Sequence, residues 1–443
     1  MRERAVVNER AVIGKITRYL IPYLGIIYLI AYIDRQNVSY AKLQMVDALG
    51  LSEYAYGLGA SLFFIGYFLF EVPSNIFLER FGAPRWFARI MLTWGAVTVA
   101  LAYTQNTTMF YVLRFLLGVC EAGFFPGVLY LLTLWFPHEY RGRMVGSFMV
   151  FSAFANAIGA PIGGMLLDLD GYGGHQGWQW VFLVTGIPAM LMGIVTLFYL
   201  DGTPETSRIL TPEEKRWLAE RLANENNRLA KTSHVNPLKV LADGRVLLMS
   251  VFYIAFPLGA YGLSYWLPTI VKGFGVSNTV NGWINVIPWL MVALGLYYWP
   301  KLAVGARSST PFIVGPALVG AACLILSVYV PSNTLRFAFL CIAAVAIFVP
   351  QPILWSIPST FLSGASAAAG LAVINSVGNL GGFIAQNVIP WIRDASGSNT
   401  VPMLFLAACL AVGGLMTFVV QAVIRRHRVP GAAGTAGLTH PAQ

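Results

Sequence analysis

The chain has 443 residues, of which 57% are hydrophobic and only 11% charged, with a mean hydropathy of +0.66. A soluble domain carries about 25% charged residues, so the composition excludes a water-soluble globular protein and leaves a polytopic membrane protein. The net charge of +10 points to nucleic acid only if the basic residues cluster, and to membrane topology if they fall on one side of the spans.

The first 16 residues are polar and charged, unlike the short n-region of a cleavable signal, and no small-residue cleavage pattern follows, so the first span is expected to stay in the protein. Apolar stretches then lie near 18–38, 55–77, 86–104, 108–134, 145–167, 178–200, 246–270, 281–299, 311–330, 337–358, 365–388 and 401–424. Each is close to the ~20 residues that cross a bilayer. An even number of spans puts both termini on one side. Assigning that side to the cytoplasm of a bacterial inner membrane collects 23 of the 29 Lys and Arg there, beginning with Arg2, Arg4, Arg10, Lys15 and Arg18. Arg35 and Arg114 fall within spans, and Lys42, Lys272, Arg336 and Arg393 lie outside. The charge is therefore topological, and no nucleic-acid partner is expected; the partners are the lipid bilayer and a small molecule.

Span one is interrupted by Asp34-Arg35. An ionisable group at the bilayer centre costs roughly 2.5–3.5 kcal/mol on insertion scales, and such groups mark substrate or ion paths. In span two, Tyr67 and Glu71 are four apart and share a helical face; Glu71, nearer the cytoplasmic end, suits a gate or helix-end pair. Loop 2–3 carries Glu79, Arg80 and Arg85. Span four holds Arg114 and Glu121, seven apart and so on one face, roughly 10 Å apart along the axis. Four cysteines (Cys120, Cys323, Cys341, Cys409) fall inside spans at no metal-like spacing and read as buried thiols. None of the five histidines lies in a span, so a histidine relay is not expected, and without a GxxxxGK[ST] loop neither is ATP-driven pumping.

After span six comes a polar segment at 201–245. Thr211, Pro212 and Glu214 form a capping-box start, and Leu218, Leu222 and Leu229 give a narrow apolar stripe, so a cytoplasmic surface helix linking two halves is expected. The halves repeat weakly. Asn156 precedes Gly159 by three residues with Gly163-Gly164 following, and six spans later Asn375 precedes Gly378 by three with Gly381-Gly382 following. Gly82-Ala83-Pro84-Arg85 similarly echoes Gly305-Ala306-Arg307. The organisation expected is an all-α membrane fold of twelve transmembrane helices in two six-helix bundles: a first bundle at 1–200, a linker at 201–245, a second bundle at 246–428 and a disordered tail at 429–443. A site between duplicated halves is the usual transporter arrangement.

Three runs carry a family resemblance: Tyr32-Ile33-Asp34-Arg35-Gln36-Asn37, then Gly66-Tyr67 through Glu71, Pro73 and Asn75, then Arg114 through Gly118, Glu121 and Gly123. They resemble the anion:cation symporter branch of the major facilitator superfamily, which includes bacterial permeases for tartrate, phthalate, hydroxyphenylacetate, sugar acids and hexuronates. The resemblance covers essentially the whole chain. It implies twelve helices in two bundles, alternating access and proton-coupled uptake of organic anions by a monomer. It also places pocket residues at Tyr67, Trp355 and Asn375. In loop 2–3 the superfamily's usual Asp-Arg pair is Glu79-Arg80 here, with Asn75 in place of the upstream Gly, and the second-half counterpart near Trp299-Pro300-Lys301 lacks an acid. The run Gly159-Ala160-Pro161-Ile162-Gly163-Gly164 resembles an element best known from antiporters.

The chemistry follows from the charges of spans one and four. With Asp34 and Glu121 ionised, they neutralise Arg35 and Arg114; with both protonated, the site is +2. A carboxylate then binds the protonated form better, and proton and anion favour each other reciprocally. Arg35 and Arg114 are expected to hold the substrate carboxylate, a bidentate partner for guanidinium, with Asp34 and Glu121 accepting protons. The alternative is that Asp34–Arg35 and Arg114–Glu121 are ion pairs joining helices. The second half has no buried charge, so Trp355, Asn375 and Asn379 are the candidates there, followed by Gln351, Tyr261 and Tyr265; Glu79, Arg80 and Arg85 are candidates for gating. No cofactor or metal is expected beyond the proton. An exchanger on the same fold is the second functional reading. An integral-membrane enzyme is disfavoured by the absence of Ser/His/Asp and His-cluster patterns, and a sensor by the lack of an output domain.

Overall fold

The computed structural model describes residues 8–232, 243–303, 306, 308–355, 357–358, 364–398 and 400–426. Arg2, Arg4, Gly305, Arg307, His234 and the tail at 429–443 lie outside them, as does the side chain of Leu229. Helices joined by short turns and loops make up the described residues, and several of them start where a short polar side chain can accept a free N–H. Asn8 caps α1 (Glu9–Ala48) by accepting Ala11 N at 3.2 Å, Ser52 caps α2 (Glu53–Phe81) at 3.0 Å, and after α3 (Ala83–Leu101) Asn106 caps α4 (Thr107–Glu121) at 2.9 Å. The first half continues with α5 (Phe124–Trp135), α6 (His138–Leu167) and α7 (Gly177–Tyr199). The linker helix is α8 (Pro212–Thr232). The second half comprises α9 (Gly244–Lys272), α10 (Asn278–Ala303), α11 (Pro311–Tyr329), α12 (Asn333–Phe348), the short α13 (Gln351–Leu354), α14 (Gly364–Ser396) and α15 (Thr400–Arg426).

Nine spans are long and apolar enough to cross a membrane among the described residues, with α4 and α5 counted together, and the bent α2 makes a tenth. The twelve are completed by α3, whose first turns carry Arg85 and Arg89, and by α14, which carries Asn375, Asn379, Gln386 and Asn387. Packing repeats across the halves. In the first, α1 packs on α6 and α7, α3 on α7, and α2 on α4; in the second, α9 packs on α14 and α15, α11 on α15, and α10 on α12. The halves meet through α2 against α14 and α6 against α10, a pair of contacts that exchange when the halves exchange.

Four of the expected spans are present but are not plain straight helices of those bounds. The helix that holds the first span starts upstream of 18–38, since α1 runs from Glu9 and includes Arg10, Lys15 and Arg18. The span at 108–134 is broken: α4 ends at Glu121, Gly123 takes φ +87°, and α5 starts at Phe124. The second span bends by 52° between Glu53–Glu71 and Pro73–Phe81, where proline cannot donate to the helix ladder. The span at 337–358 is interrupted at Val349-Pro350, between α12 and α13. At Gly123 the break is doubly enforced, since a Cβ there would sit 2.3 Å from Ser74 Oγ. The left-handed conformation alone costs an L-residue about 1–2 kcal/mol. Gly123→Ala should therefore lower the unfolding midpoint in detergent; an unshifted midpoint would show that the break is not needed for packing.

On the face opposite the termini the halves touch closely. A Cβ on Gly164 would fall 2.4 Å from Asn278 O, and one on Gly282 would fall 2.6 Å from Ala160 O. Beside them Thr279 Oγ1 donates to Asp168 at 2.5 Å. Glu53 holds Lys42 at 2.7 Å and Arg393 of the second half at 3.3 Å, while Lys42 Nζ lies 3.6 Å from the Trp266 ring centroid. At the termini face α8 is docked on the first half. The capping box of Thr211 and Glu214 is present, Glu214 pairs with Lys15 at 2.7 Å, Arg141 with Glu225 at 3.4 Å and Arg221 with Glu139, and Leu218 is buried.

Candidate functional site

Beneath the closed face, between the halves, lies a cavity of ≈ 90 Å³, several times the ~10–15 Å³ that one water needs. The first half lines it with Tyr28, Tyr32, Arg35 and Gln36 of α1, Tyr67 of α2, Phe125 of α5, and Met149 and Asn156 of α6. The second half contributes, among others, Tyr253, Tyr261 and Ser264 of α9, Phe348, Gln351 and Trp355 around α12 and α13, and Asn375 and Asn379 of α14. One wall is charged and aromatic; the other is amide and aromatic.

Arg35 is the charged group on that wall. It is 9% exposed, and its Nε donates to Glu121 Oε1 at 2.6 Å. Its guanidinium carbon lies 5.2 Å from the Tyr67 ring centroid and 5.6 Å from those of Tyr32 and Phe63. Three ring faces stabilise a cation cut off from water. Glu121 reaches Arg35 because α4 stops there, and its Oε2 has no hydrogen-bond partner.

The ion pairs of the alternative reading, Asp34–Arg35 and Arg114–Glu121, are not formed. Asp34 does not pair with Arg35, since consecutive helical residues point about 100° apart and do not face each other. Asp34 turns into the first half and accepts from Asn37 Nδ2 at 3.0 Å and Thr98 Oγ1 at 2.9 Å. Arg114 does not bond Glu121. Its Nη2 donates to Ala60 O at 3.0 Å, it lies 5.2 Å from the Phe63 ring centroid, and its Nε and Nη1 lack hydrogen-bond partners. Neither Asp34, Arg114 nor Glu121 lines the cavity itself.

Tyr67, Trp355, Asn375 and Asn379 all do, as do Gln351 and Tyr261, while Tyr265 is buried outside the lining. Trp355 Nε1 donates to Tyr253 Oη at 3.3 Å, with the rings 4.8 Å apart. Glu71 is not a helix-end group. It is 1% exposed at the bend of α2 and accepts from Ser376 Oγ at 2.5 Å and Asn375 Nδ2 at 3.3 Å across the halves. Glu79, Arg80 and Arg85 are exposed on the termini face, and no ion pair is formed by them among the described residues. That corner is held instead by Trp86 Nε1 on Ser74 Oγ at 3.0 Å and by Phe77 and Phe81 against Trp86.

Asn156 was missed as a wall residue. Its repeat mate Asn375 was selected, and the spacing common to both was the signal that could have found it; the duplicated pair faces one cavity from opposite sides. Tyr28, Tyr32 and Gln36 follow from the helical face shared with Arg35.

Residues 24–386 match the family described as Major Facilitator Superfamily. The chain is 42% identical to a quinolone resistance transporter of Acinetobacter baumannii, over 95% of this chain and 97% of the relative. It is 41% identical to a putative tartrate transporter of Agrobacterium vitis, over 94% of each. Among solved structures, a bacterial homologue of the human lysosomal transporter Spinster, in an inward-facing and unoccupied conformation, has a TM-score of 0.75 at 16% identity, covering 93% of this chain and 98% of that one. At that identity the likeness concerns the fold.

Proposed function

We propose, on the premise that the chain belongs to the Major Facilitator Superfamily, that it imports a small organic carboxylate anion together with protons by alternating access. Membership makes it a multi-pass membrane transporter of a small molecule and not an enzyme. The observation that carries the finer reading is the 2.6 Å bond between Arg35, on the cavity wall, and Glu121 behind it. Glu121 and an incoming carboxylate compete for one guanidinium. Protonating Glu121 releases Arg35 to the anion, and an anion on Arg35 leaves Glu121 free to take a proton. Two unit charges 4 Å apart interact by roughly 4 kcal/mol at an effective dielectric of ~20, which is enough to couple the two events.

In this reading Arg114, buried behind the wall, adds its positive charge to the anion end, and Asp34 is a second proton acceptor set back inside the first half. Tyr67, Trp355, Asn375 and Asn379 contact the rest of the substrate. Glu79, Arg80 and Arg85 stand where the termini face would close when the opposite face opens. The excess of basic residues on that face supports reading it as the cytoplasmic side of a bacterial inner membrane. The name of the Agrobacterium relative supports the carboxylate class, and that of the Acinetobacter relative puts quinolones on the test panel.

Exchange of anions is the second reading. It is favoured by the run Gly159 to Gly164, whose last residue packs the halves together on the closed face. The test is uptake of labelled tartrate, phthalate, hydroxyphenylacetate, galactonate and a quinolone into proteoliposomes, with and without an imposed proton gradient. Gradient-driven accumulation of a carboxylate is expected. Uptake driven only by preloaded unlabelled acid would replace symport with exchange, and the proton roles of Asp34 and Glu121 would fall.

A further inference from the structure

A second, smaller cavity of ≈ 10 Å³ adjoins the first, between α1 and α6 of one half and α9 and α10 of the other. The two share Gln36, Asn156 and Ser264 as wall residues, and Gln36 follows Arg35 on α1. The annex has room for one oxygen-sized group.

Its walls hold two buried oxygens without donors. Asn156 and Asn285 are 4% and 1% exposed, and each Oδ1 has no hydrogen-bond partner. Their amide nitrogens are already engaged: Asn156 donates to Ser152 O at 3.0 Å, and Asn285 to Asn281 O at 2.8 Å and Asn281 Oδ1 at 2.6 Å. Buried acceptors of this kind call for donors. A carboxylate, which only accepts, does not fit. A hydroxyl does: it can donate to Asn285 Oδ1 while its own oxygen accepts. Asn156 lines both cavities, so its oxygen can be met from the larger one by a neighbouring hydroxyl. One oxygen belongs to each half, so a ligand that satisfies both joins the halves.

We propose that the annex reads hydroxyls of the transported acid, so that the protein selects carboxylates bearing adjacent hydroxyls over their deoxy counterparts. The inference rests on the carboxylate reading above and narrows it. Arg35 takes the charge common to all candidates; Asn285 and Asn156 take what distinguishes them.

The test is ligand-induced thermal stabilisation of the purified full chain by two pairs, tartrate with succinate and galactonate with hexanoate. In at least one pair the hydroxylated acid should half-saturate at a concentration about ten-fold or more below its partner, the scale set by leaving a buried polar group unmet. Asn285→Leu should bring that acid to within about three-fold of its deoxy partner. Because Asn285 also holds Asn281, Asn156→Leu is the parallel variant and should shrink the same ratio. Equal binding within both pairs would overturn the proposal, as would undiminished selectivity in the variants, which would leave the annex to a resident water. Wild-type protein stabilised by none of the four acids but by phthalate or hydroxyphenylacetate would overturn this proposal alone; stabilisation by none of these six would overturn the carboxylate reading, and this proposal with it.

Discussion

Arg35→Lys should lower carboxylate uptake by about 100-fold or more while the protein still inserts and folds. In the native site the guanidinium bonds Glu121 through Nε at 2.6 Å and lies on the cavity wall beside Tyr67. Lysine is a point charge and cannot hold two carboxylates in a planar fork. Losing a bidentate contact removes two charge-assisted hydrogen bonds of roughly 1.5–3 kcal/mol each, and each 1.4 kcal/mol is about ten-fold. Arg35→Ala should do more. It leaves Glu121 buried without its partner, a change that typically costs about 3–5 kcal/mol, so the unfolding midpoint should fall with the activity. Uptake and thermal unfolding on the same preparations separate the two effects. A lysine variant that transports within about three-fold of wild type would show that the anion is held elsewhere, because a point charge would then serve as well as the fork.

Glu121→Gln should separate anion binding from proton coupling. If Glu121 and the anion compete for Arg35 as proposed, protonating Glu121 frees Arg35, so anion affinity in the wild type should rise as pH falls through that titration and level off below it. Glutamine has no charge with which to compete. The variant should bind the anion at all pH values about as tightly as wild type does on its acid plateau. A proton gradient should no longer drive accumulation in it, whereas exchange against preloaded acid should continue. Binding measured across the mildly acidic to neutral range, with uptake under both regimes, checks each part. Gradient-driven accumulation in Glu121→Gln would move the coupling to another group, Asp34 first.

Much of this was legible before any coordinates, for physical reasons that differ by residue. Hydrophobic length places the spans because bilayer thickness is fixed, and an arginine inside one, such as Arg35, stands out because its burial is expensive. Tyr67, Trp355 and Asn375 were reached through the family resemblance, and all three line the cavity. The partners of the charges were not legible. Arg35 and Glu121 are separated by 86 positions, and their meeting depends on how α1 docks beside the end of α4. The adjacency of Asp34 and Arg35 misled, because neighbours in sequence diverge on a helix. Gly123 reads as one small residue among many in an apolar run; only the left-handed turn, with Ser74 packed against it, reveals a break. Glu71 read as a gate or helix-end group; the bend of α2 and the approach of α14 bury it in a contact across the halves, which removes only the helix-end alternative.

The helix packing is duplicated, but the chemistry is lopsided. Of the buried Asp, Glu, Lys and Arg, Asp34, Arg35, Lys42, Glu71, Arg114 and Glu121 belong to the first half and Asp201 to the linker, and the second half supplies none among the described residues. On the proposed function, proton coupling falls to the first half alone, while both halves face the cargo, the first with Arg35, Tyr67 and Asn156 and the second with uncharged groups such as Trp355 and Asn375. Under that reading, substitutions at Trp355 or Asn285 would retune what is carried without touching the Arg35–Glu121 bond. A division of that kind would let a lineage change its cargo by drift in the second half while the charged half stays under separate constraint.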